Sequence, residues 1–133
     1  MRVVVDTNVV VSGLLTRNGI PAQIVDLILS ATLTALYDDR ILHEYREVLS
    51  RTKFQIPLNQ TQEFIRFIED SGQYFSGQRL GIILPDPSDL PFLEVASAGL
   101  ADALITGNAR HFKPTKGRHN VRVCTPAEFI RIT

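Results

Sequence analysis

Arg2-Val3-Val4-Val5-Asp6-Thr7-Asn8 opens the chain with an unbroken β-branched run that ends in a carboxylate. Val3 to Val5 lack the polar alternation of a half-exposed strand, so they read as a strand buried on both faces, as at the centre of a parallel α/β sheet. Asp6 then stands at the carboxyl end of that strand, where open α/β sheets bind ligands. A carboxylate directly after three valines needs a partner if it is even partly buried, which makes it a site candidate ahead of any motif. The competing reading is a turn residue that merely ends the strand.

Working outward, Asn8 to Leu15 suits a short helix packed on this strand, broken by Arg17-Asn18-Gly19. Pro21 and the broad apolar face of Ile24, Val25, Leu27, Ile28 and Leu29 predict a second helix over 21–31. Thr32 to Tyr37 reads as a strand. Asp38 and Asp39 can cap a helix over 40–51, whose apolar positions Ile41, Leu42, Tyr45, Val48 and Leu49 follow the helical period. Residues 61–71 form another amphipathic pattern, and a glycine-punctuated stretch leads to the strand-like run Ile82-Ile83-Leu84. Asp86-Pro87-Ser88-Asp89 opens a helix to about Gly99, and Ala103 to Thr106 is a short strand ending at Gly107-Asn108. Val121 to Cys124 is the last strand, before a capping box at Thr125-Pro126-Ala127-Glu128. Alternating strands and helices predict an α/β fold: a doubly wound, mostly parallel sheet with helices on both faces.

A chain of 133 residues with 44% apolar content can bury one core, so residues 1–133 are expected to form a single domain. Lys plus Arg and Asp plus Glu number 14 each, so an anionic substrate has to be met by a local patch rather than by global charge. The single cysteine, Cys124, excludes an internal disulfide and a cysteine-only zinc site. That usage, with no export signal and no membrane-length apolar run, leads us to expect a soluble cytoplasmic protein.

Asp6, Glu44, Asp89 and Asn108 fall at element boundaries that such a sheet would gather on one edge. Three carboxylates without a cysteine or a zinc-like histidine spacing are hard oxygen donors suited to Mg²⁺ or Mn²⁺, and a cation would relieve their repulsion. Each has a plainer reading. Glu44 suits the first turns of a helix, Asp86 and Asp89 are both plausible helix-start residues, and Asn108 is a normal turn residue. His43, His111 and His119 are isolated in sequence and read as surface or hydrogen-bonded residues. Arg110, His111, Lys113, Lys116, Arg118, His119 and Arg122 concentrate positive charge after Asn108, with Arg46, Arg51 and Lys53 following the Glu44 helix. This is either a basic rim for a phosphate backbone, with Arg110, Lys113 and Lys116 as its RNA-binding candidates, or an ordinary solvated loop.

Four motifs in order, covering nearly the whole chain, carry a family resemblance. They are Val3-Val-Val-Asp6-Thr7-Asn8-Val-Val-Val-Ser12-Gly13, Leu42-His-Glu44-Tyr45, Asp86-Pro-Ser-Asp89-Leu-Pro-Phe92-Leu93-Glu-Val-Ala96 and Asp102-Ala-Leu-Ile-Thr106-Gly107-Asn108. Together they resemble the PIN-domain ribonucleases, above all the small single-domain toxins of toxin–antitoxin pairs. The resemblance implies a parallel sheet of about five strands and a metal-dependent nuclease site cutting single-stranded RNA. Asp6, Glu44 and Asp89 match the family's three acids and are the implied catalytic and metal-binding residues. Asp86 is an auxiliary neighbour, and Asn8, Thr7 and Thr106 fall at polar site-lining positions. Asn108 stands where many members carry a fourth acid; it keeps an oxygen donor and loses a charge, so one Mg²⁺ or Mn²⁺ is implied more firmly than two. A cognate antitoxin and a homodimer are further family-level expectations. Two alternatives stand beside the ribonuclease: a catalytically weak RNA-binding or protein-interaction module, and a metal-dependent phosphatase using Asp6 as nucleophile. Asn8 weakens the second, because such enzymes place another acid two residues after the nucleophile.

Overall fold

The computed structural model describes residues 1–115 and 121–132. The opening valines form β1 (Arg2–Val5), with Val3, Val4 and Val5 all essentially inaccessible. The chain continues through α1 (Thr7–Leu15), α2 (Ile20–Leu29), β2 (Thr34–Tyr37), α3 (Asp39–Leu49), α4 (Leu58–Ser71) and β3 (Gln73–Tyr74). It then runs through α5 (Leu90–Ala98), β4 (Ala103–Ile105), β5 (Val123–Cys124) and α6 (Pro126–Ile132). The five strands are all parallel in the order β3-β2-β1-β4-β5, as the α/β reading expects.

This order fixes where a site can form. The chain steps outward from β1 to β2 to β3, and α5, packed on β1, β2 and β4, then carries it back past the centre to β4 on the far side of β1. Right-handed crossovers running in opposite directions put helices on both faces and open a crevice between β1 and β4 at their carboxyl ends. Val5 pairs with Ile105 at that end, so Asp6 and Thr106 emerge side by side, and the Asp6 N–H donates to the Ile105 carbonyl at 2.9 Å. Tyr45 on α3, buried between Phe64 and Phe92, donates its hydroxyl to the Val5 carbonyl and so braces the strand end that presents Asp6.

Local signals act as expected at several boundaries. Asp38 Oδ1 accepts from the Ile41 N–H at 3.0 Å to start α3, and Thr125 and Glu128 exchange hydrogen bonds of 2.9 and 3.2 Å as a capping box before α6. Two expectations need correction. Ile82-Ile83-Leu84 is not a strand: Leu84 is buried, Ile83 is 89% exposed, and the segment crosses the surface as a strap. The edge strand is Gln73–Tyr74 instead. Gly72 lies so close to Ala35 O and Ile68 O that a Cβ would stand 2.7 and 2.6 Å from them, and this approach brings the next two residues alongside β2. The start of the α5 region is also split, since Pro87–Asp89 forms a 3₁₀ turn before the α-helix proper begins at Leu90. No helix among the described residues is long and apolar enough to cross a membrane.

Candidate active site

Asp6 occupies the N-cap position of α1, yet its side chain makes no capping hydrogen bond to that helix. It turns towards β4 instead. Asp6 Oδ2 accepts from the Thr106 hydroxyl at 2.7 Å and from Asn8 Nδ2 at 3.5 Å. Thr106, fully buried, in turn accepts from the Asn108 N–H at 3.1 Å, and Asn8 Oδ1 accepts from the Gly107 N–H at 3.1 Å. The carboxyl ends of β1 and β4 are thus stitched together through side chains, and one oxygen of Asp6 carries that stitching. The turn-residue reading of Asn108 describes its backbone, since it spans the corner between Thr106 and the following 3₁₀ turn.

Glu44 rises from the second turn of α3, half-buried, and accepts from the Thr7 hydroxyl. Asp89 ends the 3₁₀ turn before α5 and is only 7% exposed. Its Oδ2 is buried without a hydrogen-bond donor among the described residues. Asp86, exposed, spends Oδ1 on the Ser88 N–H at 3.0 Å and the Ser88 hydroxyl at 2.7 Å; it is the N-cap of the turn, which is its plainer reading.

The acids act on one another. Burial, and behind it the charges of Asp89 and Asp86, push the Asp6 carboxyl up to about 6, against the Thr106 hydrogen bond that favours its charged form. Burial raises Glu44 as well, opposed by Thr7 and reinforced by Asp6 and Asp86. Asp89 is raised by burial, then by Asp86, with Glu44 adding to this and His111 opposing it. Asp86 alone is held down, by its two bonds from Ser88. A group of acids that raise one another's proton affinity is short of positive charge.

The donor chemistry fits a hard divalent cation: the neighbouring acids are oxygen donors, and one buried carboxylate oxygen lacks a donor. The side chains are not drawn into a finished cage, since among the described residues no three His, Cys, Asp or Glu side chains converge as a ready-made ligand set.

His111, read from sequence as a surface or hydrogen-bonded residue, has a partner that the sequence did not name. It lies in the 3₁₀ segment Ala109–Thr115, and its Nδ1 stands 3.4 Å from Asp89 Oδ2. Its N–H donates to the Asn108 carbonyl at 2.9 Å, so the turn that follows Asn108 swings the imidazole back over the acids. The three-residue spacing from Asn108 is the signal that was present, because one 3₁₀ turn superposes residues three apart.

Of the cations expected to rim the site, Arg110 is exposed just beyond Asn108. Arg46 pairs with Glu69 and Arg51 with Glu47, each at 2.9 Å, and Lys53 lies over the Phe54 ring, so these three are engaged within the protein. Lys116, Arg118 and His119 lie outside the described residues, as does the side chain of Lys113. A cavity of about 170 Å³ adjoins the crevice, lined by Asn8, Ser12, Pro21, Gly107, Asn108 and Pro126 among others. A larger cavity, about 670 Å³, lies elsewhere, between α1, α2 and α4, with none of the site acids in its lining.

The fold and site define a parallel α/β domain with an acidic crevice at its topological switch point. The chain belongs to the PIN domain family, which matches residues 2–110 and whose members are generally nucleases. Among solved structures it is similar to that of VapBC2 from Rickettsia felis bound to a DNA fragment from their promoter. The TM-score is 0.60 and the identity 18%, over 94% of this chain and 98% of the other. Comparison with characterised proteins by sequence alone finds no match.

Proposed function

We propose that the protein is a metal-dependent endoribonuclease that hydrolyses phosphodiester bonds of single-stranded RNA, and that it works as the toxin of a toxin–antitoxin pair. The observation that carries the reading is Asp6. This carboxylate at the switch point is pushed towards protonation first by its own burial and then by the charges of Asp89 and Asp86, and its side chain makes no capping hydrogen bond to α1. Mg²⁺ or Mn²⁺ held by Asp6 and Asp89, with Glu44 completing the set, would relieve that repulsion. When bound, such an ion polarises the scissile phosphate and lowers the pKa of a water molecule.

The chain's own residues prepare for this. Thr106 and Asn8 both donate to Oδ2 of Asp6 and so fix its rotamer. Thr7 holds Glu44, and Tyr45 keeps the end of β1 from shifting under load. Placing acids within about half an ångström of a productive arrangement is what such supporting contacts contribute. Arg110, with Lys113 and Lys116 further along the chain, supplies cations for the RNA backbone. The antitoxin partner is supported by the likeness to VapBC2. A homodimer accompanies this reading as a family-level expectation.

The test is incubation of the purified protein with single-stranded RNA and DNA of mixed sequence, with Mn²⁺, with Mg²⁺ or with EDTA, beside Asp6→Asn and Asp89→Asn. RNA cleavage that needs the metal and is lost in both variants is expected. Cleavage that persists equally in the variants would remove the reading, and RNA binding without cleavage under every condition would favour the interaction module instead.

A further inference from the structure

The geometry points to His111 as a nitrogen ligand of the divalent ion, sharing it with Asp89 and standing in for the acid that Asn108 does not supply. This rests on the metal-site reading above and adds to it a ligand of different chemistry. Asp89 Oδ2 is buried and accepts no hydrogen bond, although His111 Nδ1 is only 3.4 Å away. An imidazole positioned to serve this oxygen as a donor would lie closer and in line, near 2.8 Å for a charge-assisted bond, roughly the length such bonds take. A separation of 3.4 Å, at the long end of a direct contact, also suits two donors around one ion: metal–ligand bonds of about 2.1 Å at angles of roughly 90–110° put neighbouring donor atoms about 3.0–3.4 Å apart. The His111 backbone is fixed by its own N–H to the Asn108 carbonyl, and the side chain is 43% exposed, open to an ion arriving from solvent.

The corner of the site that lacks a fourth carboxylate is therefore filled from three residues downstream by a neutral donor. This changes which ion the site prefers. All-oxygen sets serve Mg²⁺ well, whereas an imidazole nitrogen is taken more readily by first-row transition ions, Mn²⁺ being the weakest of these and the one that also accepts the oxygen donors around it. The opposing reading makes His111 an imidazolium that pairs with Asp89 and neutralises it. The two differ in sign: a ligand lost weakens metal binding, while a competing cation lost strengthens it.

Metal-free protein titrated with Mn²⁺ and separately with Mg²⁺, following free Mn²⁺ by electron paramagnetic resonance and heat by calorimetry, decides between them without any RNA. Native protein, His111→Ala, His111→Gln and Asp6→Asn are compared. We expect the native chain to bind Mn²⁺ more tightly than Mg²⁺. In both His111 variants Mn²⁺ affinity should fall by about tenfold or more, at least the loss that perturbing a metal site commonly causes, while Mg²⁺ affinity changes little. Pulsed resonance on the Mn²⁺-loaded native protein should show coupling to a ligated ¹⁴N that disappears in His111→Gln. Unchanged or tighter Mn²⁺ binding in the His111 variants, or no nitrogen coupling in the native protein, overturns this inference while leaving the acid site standing if Asp6→Asn still abolishes binding. Absence of Mn²⁺ and Mg²⁺ binding by the native chain would overturn the metal-site reading itself.

Discussion

Asp6 is a buried acid kept charged at neutral pH at a cost to the fold. Its carboxyl is raised from 3.8 to about 6, with burial as the first cause. For a group raised in the folded state, the stabilisation that comes with protonation is fully present below the unfolded value near 3.8 and is lost as pH rises through about 6. At pH 7 the metal-free protein has therefore forfeited about 2–3 kcal/mol at this one residue, since each tenfold change in proton affinity corresponds to roughly 1.4 kcal/mol. Asp6→Asn keeps an oxygen to accept from Thr106 and removes the charge. Calorimetry in EDTA should find the variant several degrees more thermostable than the native protein at pH 7, with the difference closing by pH 4. Equal melting temperatures at pH 7 would mean that Asp6 carries no such burden. That Asp6, Glu44 and Asp89 influence one another was legible in sequence, because Asp6 and Asp89 stand at element boundaries, Glu44 lies in the second turn of a helix that follows a strand, and an α/β sheet gathers such positions. The approach of His111 was only faintly legible, in its three-residue spacing from Asn108. It depends on a 3₁₀ turn after Asn108, and a short polar turn leaves no hydrophobic period to read.

Among elements, the long ones were readable and the short ones were not. Helices α2 to α4 bury apolar residues at helical spacing, α5 is buried over five consecutive residues from Phe92 to Ala96, and β1 is a run of valines. β3 has only Gln73 and Tyr74, both exposed, and owes its strand geometry to the position of Gly72 against β2 rather than to its own side chains. Ile82-Ile83-Leu84 shows the converse: an apolar run with two β-branched residues that joins no strand of the sheet, held as a strap whose Leu80 N–H donates to buried Glu94 at 2.9 Å. Glu94 in turn binds Arg40 at 2.6 Å, tying α5 to α3. The junction of α1 and α2 makes a sharper test, because Gly13 sits where the two helices meet. A Cβ there would stand 2.5 Å from Val25 Cγ2 and 2.9 Å from the Pro21 carbonyl oxygen. Val25 is buried and the Pro21 oxygen is backbone, so the second helix has to give way. Gly13→Ala gains up to about 1 kcal/mol of helix propensity but incurs about 1–3 kcal/mol of overpacking. A net destabilisation of roughly 1–2 kcal/mol is expected from those two effects, read as a lower urea midpoint at unchanged slope. A midpoint equal to or above that of the native protein would show that α1 and α2 are less tightly seated than these distances require.

At the scale of the whole molecule, a chain with 14 basic and 14 acidic residues has no net field to draw in RNA, and its crevice is acidic. Holding a polyanion then falls to the few cations placed beside that crevice. Arg46 and Arg51 are paired within the fold, whereas Arg110 stands exposed next to the Asn108 corner, and Lys113 follows it in the same 3₁₀ segment. If these two residues meet the RNA backbone, each releases condensed counterions on binding. For a single strand, the slope of log affinity against log salt is about −0.7 per phosphate neutralised. The double variant Arg110→Ala/Lys113→Ala should therefore bind RNA more weakly at low salt. Its salt slope should be shallower than that of the native protein by about 1.4, which is two contacts at that value. Asp6→Asn is the background for the measurement, since binding can then be followed by fluorescence anisotropy without cleavage, with native Arg110 and Lys113 as the reference. An affinity and slope that both match the reference across salt would show that the segment is an ordinary solvated turn and that the RNA is held elsewhere.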